Sequence, residues 1–379
     1  MIDSASHPPD TLPMETNSQA RTLLDQLYET PEQDVLEQIR SLKQELGDQV
    51  LILGHHYQRE EVFSFADASG DSLKLAQTAA KTKAPYIIFC GVHFMAEMAD
   101  VLTDDSQCVV LPDPAAGCSM ADMANDEQII RCWQELSEVI SPDECVTPVT
   151  YINSTAALKA FCGEHGGIVC TSGNARRILE WSWENREKIL FFPDQHLGEN
   201  TALAMGVPEE DMIIWDPALK LGGNTPEAIK AARLILWKGF CSVHQLFKPE
   251  HADTMRKNHP GIEILAHPEC SREVCETSDF VGSTEAIIRH VTEAETGQTF
   301  AIATELNLVN RLRLQHPDKP IWFLSPMVCM CSTMFRIDPP HLCAALLAIR
   351  DGSPVNQITV PQQQKRWARL SLERMLNAS

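Results

Sequence analysis

Residues 50–57 read Val-Leu-Ile-Leu-Gly-His-His-Tyr, an apolar run that ends at a glycine and continues into two histidines and a tyrosine. A short apolar run without alternation predicts a strand buried on both faces, which is typical of a parallel sheet covered by helices. The histidines and the tyrosine would then stand at the carboxyl end of the strand, where such sheets bind ligands. A turn at residues 69–72 opens a helix, and residues 86–90 form the next apolar run.

The same order of features recurs twice downstream, which predicts three related units. The apolar runs of the two further copies cover residues 146–149, 167–170 and 189–192, and then residues 262–266, 279–281 and 300–303. Polar or aromatic residues follow each run, and 16 to 21 residues separate the first such tip from the helix-opening serine in all three copies. Because the carboxyl ends of parallel strands share one edge of a sheet, the tips of each unit should lie together.

One cysteine with a distinctive local sequence follows each copy. These cysteines are Cys118, Cys241 and Cys331. Structural zinc takes four protein ligands, whereas a catalytic metal or cluster keeps one position open for substrate. Three thiolates therefore favour a chemical over a structural role. Since each unit supplies one cysteine, we expect the three units to converge on one metal centre.

Composition narrows the classes of function. The chain has 379 residues with a formal net charge of -21, which argues against a nucleic-acid partner because phosphate binding requires a basic surface. No apolar run is long enough to span a membrane, and the acidic N-terminus does not resemble a signal peptide. We therefore expect a cytoplasmic protein, in which the 13 cysteines are buried thiols and metal ligands and not disulfides.

At this level of detail the chain resembles the quinolinate synthase family (quinolinate synthetase A), the iron-sulfur enzymes of de novo NAD biosynthesis. The similarity runs from about residue 34 to 337 and rests on short motifs in a fixed order. They are Gly-His-His-Tyr-Gln at 54–58, Gly-Asp-Ser-Leu at 70–73, Phe-Met-Ala-Glu at 94–97, Ala-Gly-Cys-Ser-Met-Ala at 116–121, Tyr-Ile-Asn-Ser-Thr at 151–155, Thr-Ser-Gly-Asn-Ala at 171–175, Asp-Gln-His-Leu-Gly at 194–198, Trp-Lys-Gly-Phe-Cys-Ser-Val-His at 237–244, His-Pro-Glu-Cys at 267–270 and Gly-Ser-Thr at 282–284.

The resemblance implies three homologous α/β/α sandwich domains with parallel sheets in a triangular arrangement and an active site at their junction. It also implies a [4Fe-4S] cluster held by Cys118, Cys241 and Cys331, with the fourth iron open to substrate. The implied transferase reaction condenses iminoaspartate with dihydroxyacetone phosphate to quinolinate, phosphate and water. A functional link to L-aspartate oxidase, as the source of iminoaspartate, follows from the same resemblance.

An open iron is a Lewis acid that can help to expel water, and proton transfers must accompany that step. Among the strand tips we assign catalysis to Tyr57 and Glu269, with His55 and His267 as further candidates. Substrate carboxylates and phosphate would be held by side chains at strand tips and helix starts. This set contains His55, Ser72, Tyr151, Asn153, Ser172, His267, Ser283 and Thr284.

Several alternatives stay open. A serine that opens a helix, such as Ser72 or Ser283, is often only a cap. The third ligand could be Cys329 in place of Cys331, although the family's last ligand precedes a methionine by three residues, as Cys331 precedes Met334. Different functions are also open: a zinc-dependent aldolase or lyase would need the same Lewis acid, and an iron-sulfur redox sensor could use three cysteines.

The repeat and the motifs predict the domain boundaries. Residues 1–33 would be a poorly ordered extension, residues 34–117 the first α/β domain, residues 118–241 the second and residues 242–337 the third. The C-terminal helices within residues 338–379 would complete the first domain.

Overall fold

The protein is described by a computed structural model that covers residues 18–327 and 330–378. It is an α/β protein with three sheets, and among the described strands only one pairing is antiparallel. The predicted α/β class with parallel sheets in three related units is therefore confirmed.

Fourteen strands build the sheets of the described chain. The first unit contains β1 Val50–His55, β2 Ala68–Gly70, β3 Tyr86–Cys90 and β4 Cys108–Val110; the second contains β5 Val146–Tyr151, β6 Ile168–Cys170, β7 Lys188–Phe192, β8 Met212–Trp215 and β9 Leu234–Trp237; the third contains β10 Glu263–Ala266, β11 Phe280–Val281, β12 Phe300–Ala303 and β13 Ile321–Phe323; and β14 Gln357–Ile358 returns to the first sheet.

The α-helices alternate with these strands and cover the sheets. They are α1 Ser18–Glu29, α2 Glu32–Leu46, α3 Glu60–Phe63, α4 Ser72–Ala79, α5 His93–Leu102, α6 Asp126–Ser137, α7 Pro142–Cys145, α8 Ala156–Glu164, α9 Ala175–Asn185, α10 Gln195–Ala204, α11 Pro226–Ala231, α12 Pro249–Asn258, α13 Arg272–Thr277, α14 Thr284–Glu293, α15 Leu306–Gln315, α16 Pro339–Arg350 and α17 Gln362–Ala378.

The three sheets repeat one strand order. The sequences β2-β1-β3-β4, β6-β5-β7-β9 and β11-β10-β12-β13 are equivalent; β14 extends the first sheet beyond β4, and β8 extends the second beyond β9. The eight predicted apolar runs thus match strands, and the predicted turn at residues 69–72 overlaps β2. Each unit also has a fourth core strand. Two of these, β4 and β13, have only three residues, too short for a clear apolar run. Each cysteine of the trio follows such a fourth strand.

A paired aspartate shows how closely the first and third units correspond. The Asp67 carboxylate accepts the backbone N–H of Ile52 at 2.8 Å, and Asp279 accepts that of Ile264 at the same distance. Strand register places Pro148 and Gly167 at these two positions in the second unit. Because proline has no N–H to satisfy, the second unit needs no carboxylate there.

The C-terminal elements connect units. Strand β14 pairs with β4, and α16 packs on α2, so both contact the first unit. Helix α17 instead packs mainly on α8 and also contacts α5. The close approach needs a glycine, since a Cβ on Gly163 would lie 2.0 Å from the Trp367 carbonyl oxygen. Residues 362–378 therefore bridge the first two units and do not complete the first alone.

Residues 18–29 of the predicted N-terminal extension form helix α1 and are not the poorly ordered chain that their composition predicts. The helix packs on α16. Leu27 is buried there, and the Tyr28 hydroxyl donates a hydrogen bond to the Asp338 carboxylate at 2.8 Å. Residues 1–17 of the predicted extension lie outside the described residues.

Candidate active site

One cavity lies where the carboxyl ends of the three sheets meet. The cavity volume is about 70 Å³. Every residue that the sequence analysis assigned to the site lines this cavity, except Ser283. They are His55, Tyr57, Ser72, Cys118, Tyr151, Asn153, Ser172, Cys241, His267, Glu269, Thr284 and Cys331.

Two histidines occupy the same place in the first and third units. The backbone N–H of Tyr57 donates to His55 Nδ1 at 3.1 Å, and that of Glu269 donates to His267 Nδ1 at 3.3 Å. Burial lowers the pKa of His55 and of His267 to about 3, so both rings are neutral at pH 7. Because Nδ1 accepts a hydrogen bond, the single proton lies on Nε2. Each ring therefore offers an N–H donor.

Tyr57 comes from the first unit, but its hydroxyl is held by the third. The Oη atom lies 3.1 Å from Oγ1 of Thr284 and 2.9 Å from Oγ1 of Thr304. Burial raises the pKa of Tyr57 well above its usual value. The phenol thus stays protonated and can act as a hydrogen-bond or proton donor.

Glu269 is the centre of a buried polar cluster. Tyr151 donates its hydroxyl proton to Oε1 at 2.5 Å, and His244 Nδ1 lies 2.9 Å from Oε2. The His244 ring stacks on His267 with centroids 4.7 Å apart. Burial raises the pKa of Glu269, but the adjacent His244 and the hydrogen bond from Tyr151 favour the carboxylate, so the pKa lies below its usual value. The surroundings of Glu269 thus favour the ionised form of a buried carboxyl group.

Helix starts supply further donors at the cavity. Ser72 and Thr284 are the first residues of α4 and α14, whose free N–H groups favour anions. Ser172 Oγ lies 3.2 Å from His267 Nε2. Ser283 does not line the cavity; its Oγ accepts the Ala286 N–H at 3.3 Å and so caps α14. Its predicted role in substrate binding stays a prediction.

Asn153 stands at the tip of the second unit, at the position equivalent to Tyr57 and Glu269. Its Oδ1 atom is buried and has no hydrogen-bond partner among the described residues. A buried acceptor without a partner is costly unless a ligand satisfies it. The orphaned oxygen at the cavity is therefore consistent with a bound group that donates a hydrogen bond.

The three cysteines stand in the same local structure. Each opens a short 3₁₀ turn, and these turns cover Ala121–Met123, His244–Leu246 and Met334–Arg336. The backbone N–H of the residue three positions later, namely Ala121, His244 and Met334, lowers the pKa of each cysteine. Three equivalent turns thus present three sulfurs to one cavity.

The chemistry of this donor set fits a metal cluster. Burial raises the pKa of Cys118 to about 12 and also raises the pKa values of Cys241 and Cys331. The thiolates that a cluster requires would therefore form only beside a strong positive charge, which metal ions supply. Backbone N–H groups directed at sulfur are typical of iron-sulfur sites. A second donor set overlaps the first, since ligand atoms of Cys241, His244 and Glu269 lie within 4.8 Å of one another.

Sequence reasoning missed several residues of the site. His244 and Asp71 line the cavity, and Thr304 binds the Tyr57 hydroxyl. His244 stands three residues after Cys241, and the repetition of Cys-Ser at 118, 241 and 331 could have drawn attention to these turns. The contact of Thr304 with Tyr57 has no sequence signal, because it joins residues of different units.

Comparisons with known proteins agree with the geometry. The family model described as "Quinolinate synthetase A protein" matches residues 37–377. A protein of Rhodopirellula baltica named quinolinate synthase is 53% identical over 99% of either chain. Proteins of the same name from Herpetosiphon aurantiacus and Bacillus anthracis are 53% and 50% identical, over 90% and 94% of this chain and 91% and 96% of their own.

The structure adds one observation about membranes: within residues 18–327 and 330–378, no helix is both long and apolar enough to cross a bilayer. The threefold strand order, the cysteine turns and the match over most of the chain agree with one another. The chain belongs to the quinolinate synthetase A family.

Proposed function

We propose that the protein is a quinolinate synthase, which condenses iminoaspartate with dihydroxyacetone phosphate to quinolinate, phosphate and water. The observation that carries the proposal is the convergence of three half-buried thiols, Cys118, Cys241 and Cys331, with the buried carboxylate of Glu269 in one cavity. A reaction that removes water from a polyfunctional intermediate needs both a Lewis acid and a proton acceptor.

The three cysteines would hold a [4Fe-4S] cluster, which when bound supplies a Lewis-acidic iron for the removal of water. The turn that Cys331 opens matches those of Cys118 and Cys241, and this supports Cys331 as the third ligand. Cys329 lies outside the described residues.

Substrate anions would be held by neutral donors, because the chain carries a formal net charge of -21. His55 and His267 offer Nε2–H groups that need no counterion. The helix starts at Ser72 and Thr284 add backbone N–H groups for a carboxylate or a phosphate. Fixed donors in a buried cavity bind such groups strongly, since little water competes there.

Proton transfer would fall to Glu269 and the tyrosines. The carboxylate of Glu269 is ionised and can accept a proton, while the Tyr151 hydroxyl and the neighbouring His244 hold it in place. Tyr57 keeps its proton, so it can donate to an oxygen that leaves or gains negative charge. Tyr57 would thus act as the acid and Glu269 as the base, because their surroundings favour the protonated phenol and the ionised carboxylate.

The test is to purify the protein without oxygen and assay it with dihydroxyacetone phosphate and freshly generated iminoaspartate. We expect a brown protein with about four irons and four sulfides per chain, as a [4Fe-4S] cluster requires, and quinolinate as product. A colourless protein, or a brown protein that forms no quinolinate, would contradict the proposal.

One observation favours a second candidate, a zinc-dependent aldolase or lyase. Cys241, His244 and Glu269 are ligand types that zinc accepts, and they lie close together. Metal analysis separates the two candidates, because a zinc enzyme would contain about one zinc per chain and little iron.

We also propose that iminoaspartate comes from an oxidase that acts on aspartate, such as L-aspartate oxidase, and that the protein works in the cytoplasm. An imine hydrolyses in water, so a nearby source would help. The described cysteines are free thiols, which suits a reducing compartment.

A further inference from the structure

Three carbonyl groups in a row at the tip of the first unit are bound by one helix of the third unit. The tip is the segment His56-Tyr57-Gln58, which follows β1. Arg311 donates from Nη1 to the His56 carbonyl at 2.8 Å and from Nη2 to the Gln58 carbonyl at 2.9 Å. Asn307 donates from Nδ2 to the Tyr57 carbonyl between them at 3.1 Å. Both donors lie on α15.

The guanidinium of Arg311 is fixed from every side. Its side chain is 5% exposed, and its Nε donates to the Glu60 carboxylate at 2.8 Å. The guanidinium carbon lies 3.4 Å from the centre of the Phe63 ring, a cation–π contact. The planar fork of an arginine binds the two carbonyls from two separate nitrogens in a fixed geometry, whereas a lysine would have to reach both from one ammonium nitrogen. A buried arginine held in this way fixes the backbone that it binds.

Few other hydrogen bonds fix the backbone of the tip. Within the first unit, the His56 N–H binds the Gly70 carbonyl, and the N–H groups of Tyr57 and Gln58 bind His55. The carbonyl side of the segment is bound by α15 alone among the described contacts. Within the described part of the chain, the hydrogen-bond partners of the Tyr57 hydroxyl, Thr284 and Thr304, also belong to the third unit.

We propose that Arg311 and Asn307 are positioning residues that hold Tyr57 in its working orientation from the neighbouring unit. The inference rests on the proposed function, since it gives Tyr57 a part in that reaction. Neither residue lines the cavity, and Arg311 reaches it through the tip. Asn307 donates to the tip and also to Glu305, which accepts the Cys331 N–H. Small displacements of a reacting group reduce turnover steeply, by up to about a hundredfold for 1 Å.

The first experiment compares Arg311→Met with Arg313→Met. Arg313 is on the same helix, and its Nε also donates to a backbone carbonyl, that of Ile321 at 3.0 Å, but it does not touch the tip. We expect Arg311→Met to lower kcat by about tenfold or more with KM little changed, Arg311→Lys to lower it less, and Arg313→Met to leave it nearly unchanged. Equal effects of Arg311→Met and Arg313→Met would overturn the proposal.

A double mutant separates action through Tyr57 from a general effect. In the Tyr57→Phe background, which removes the hydroxyl, Arg311→Met should cause little further loss of kcat, because both changes disable the same group. Equal fold losses in the two backgrounds would show that Arg311 works on something else, and the proposal would fall.

Hydrogen exchange tests the positioning itself and does not depend on the assay. Amides of residues 55–58 should exchange faster in Arg311→Met than in Arg313→Met, and unchanged exchange overturns the proposal. If Arg311→Met does not fold, Asn307→Ala replaces it in all three experiments, with the same criteria. An inactive wild-type protein would refute the proposed function, while the exchange data would still decide the proposal about α15.

Discussion

Glu269 combines burial with a charge, which is uncommon for a carboxylate unless its partners favour ionisation. We expect Glu269→Gln to lower turnover by about 10² to 10⁴, because the amide keeps the shape but cannot accept a proton. Quinolinate formation measured without oxygen, together with the visible absorbance of the cluster, would check this. Turnover should fall while the absorbance stays.

Glu263→Gln is a suitable control for that measurement. Glu263 lies on β10, also contacts a histidine, His290, at 2.7 Å, and is remote from the cavity lining. Its variant should keep nearly full turnover. Normal turnover in Glu269→Gln would remove Glu269 from the proposed mechanism.

The buried histidines make stability depend on pH. The pKa of His55 is about 3 in the folded protein and 6.5 as its ordinary value, so the unfolded chain binds the proton more tightly. The folded state therefore loses stability as the pH falls from 6.5 towards 3, and the penalty is absent above 6.5. Between pH 7 and pH 5 the loss from this residue should be about 2 kcal/mol.

His55→Asn should remove this contribution. Urea unfolding of the wild type and the variant at pH 7 and pH 5 would measure this contribution. The free energy of unfolding of the variant relative to the wild type should rise by about 2 kcal/mol from pH 7 to pH 5. A difference that does not vary with pH would mean that His55 is not buried as a neutral ring.

At the scale of elements, the paired aspartates predict how the first and third sheets are held at their edges. Asp279 accepts the Ile264 N–H and also binds Arg256 at 2.9 Å. Asp279→Ala leaves a strand N–H unsatisfied and should cost about 1 to 3 kcal/mol of the free energy of unfolding. Asp279→Asn keeps an acceptor oxygen and should cost less. If denaturant unfolding shows similar losses for Asp279→Ala and Asp279→Asn, the ion pair with Arg256, and not the hydrogen bond to the Ile264 N–H, stabilises this edge.

Most elements could be predicted because the pattern that defines them is local. The apolar runs at residues 50–53 and 86–90 are long enough to identify β1 and β3. Helix α1 was not predicted because the polar and proline-rich residues before it dominate the composition of this region. Its leucines, Leu23, Leu24 and Leu27, nevertheless recur at helical spacing. Contacts between units, such as those of α15 with the first tip, join residues far apart in sequence, and no local pattern encodes them.

At the scale of the whole molecule, the convergence of the three cysteines predicts that substitutions at positions far apart in sequence have the same effect on the cluster. Replacement of Cys118, Cys241 or Cys331 by serine should each abolish the cluster and quinolinate formation, because each unit supplies one of three ligands. Iron analysis and visible absorbance of anaerobically purified variants would measure this. Cys329→Ser should retain the cluster.

Cys145→Ser serves as the control, since Cys145 is a half-buried free thiol that does not line the cavity. It should keep full iron content. Loss of iron in Cys329→Ser together with its retention in Cys331→Ser would mean that the last ligand is Cys329.

The equivalent positions of Tyr57, Asn153 and Glu269 bear on the orientation in which a substrate binds. Three identical units around one cavity would accept the same molecule in three orientations related by rotation, and only one of them could react. A phenol, an amide and a carboxylate at the same position remove that degeneracy. If the cavity binds the proposed substrates, the divergence of the three copies at one position would let a pseudosymmetric cavity distinguish one end of an asymmetric molecule from the other.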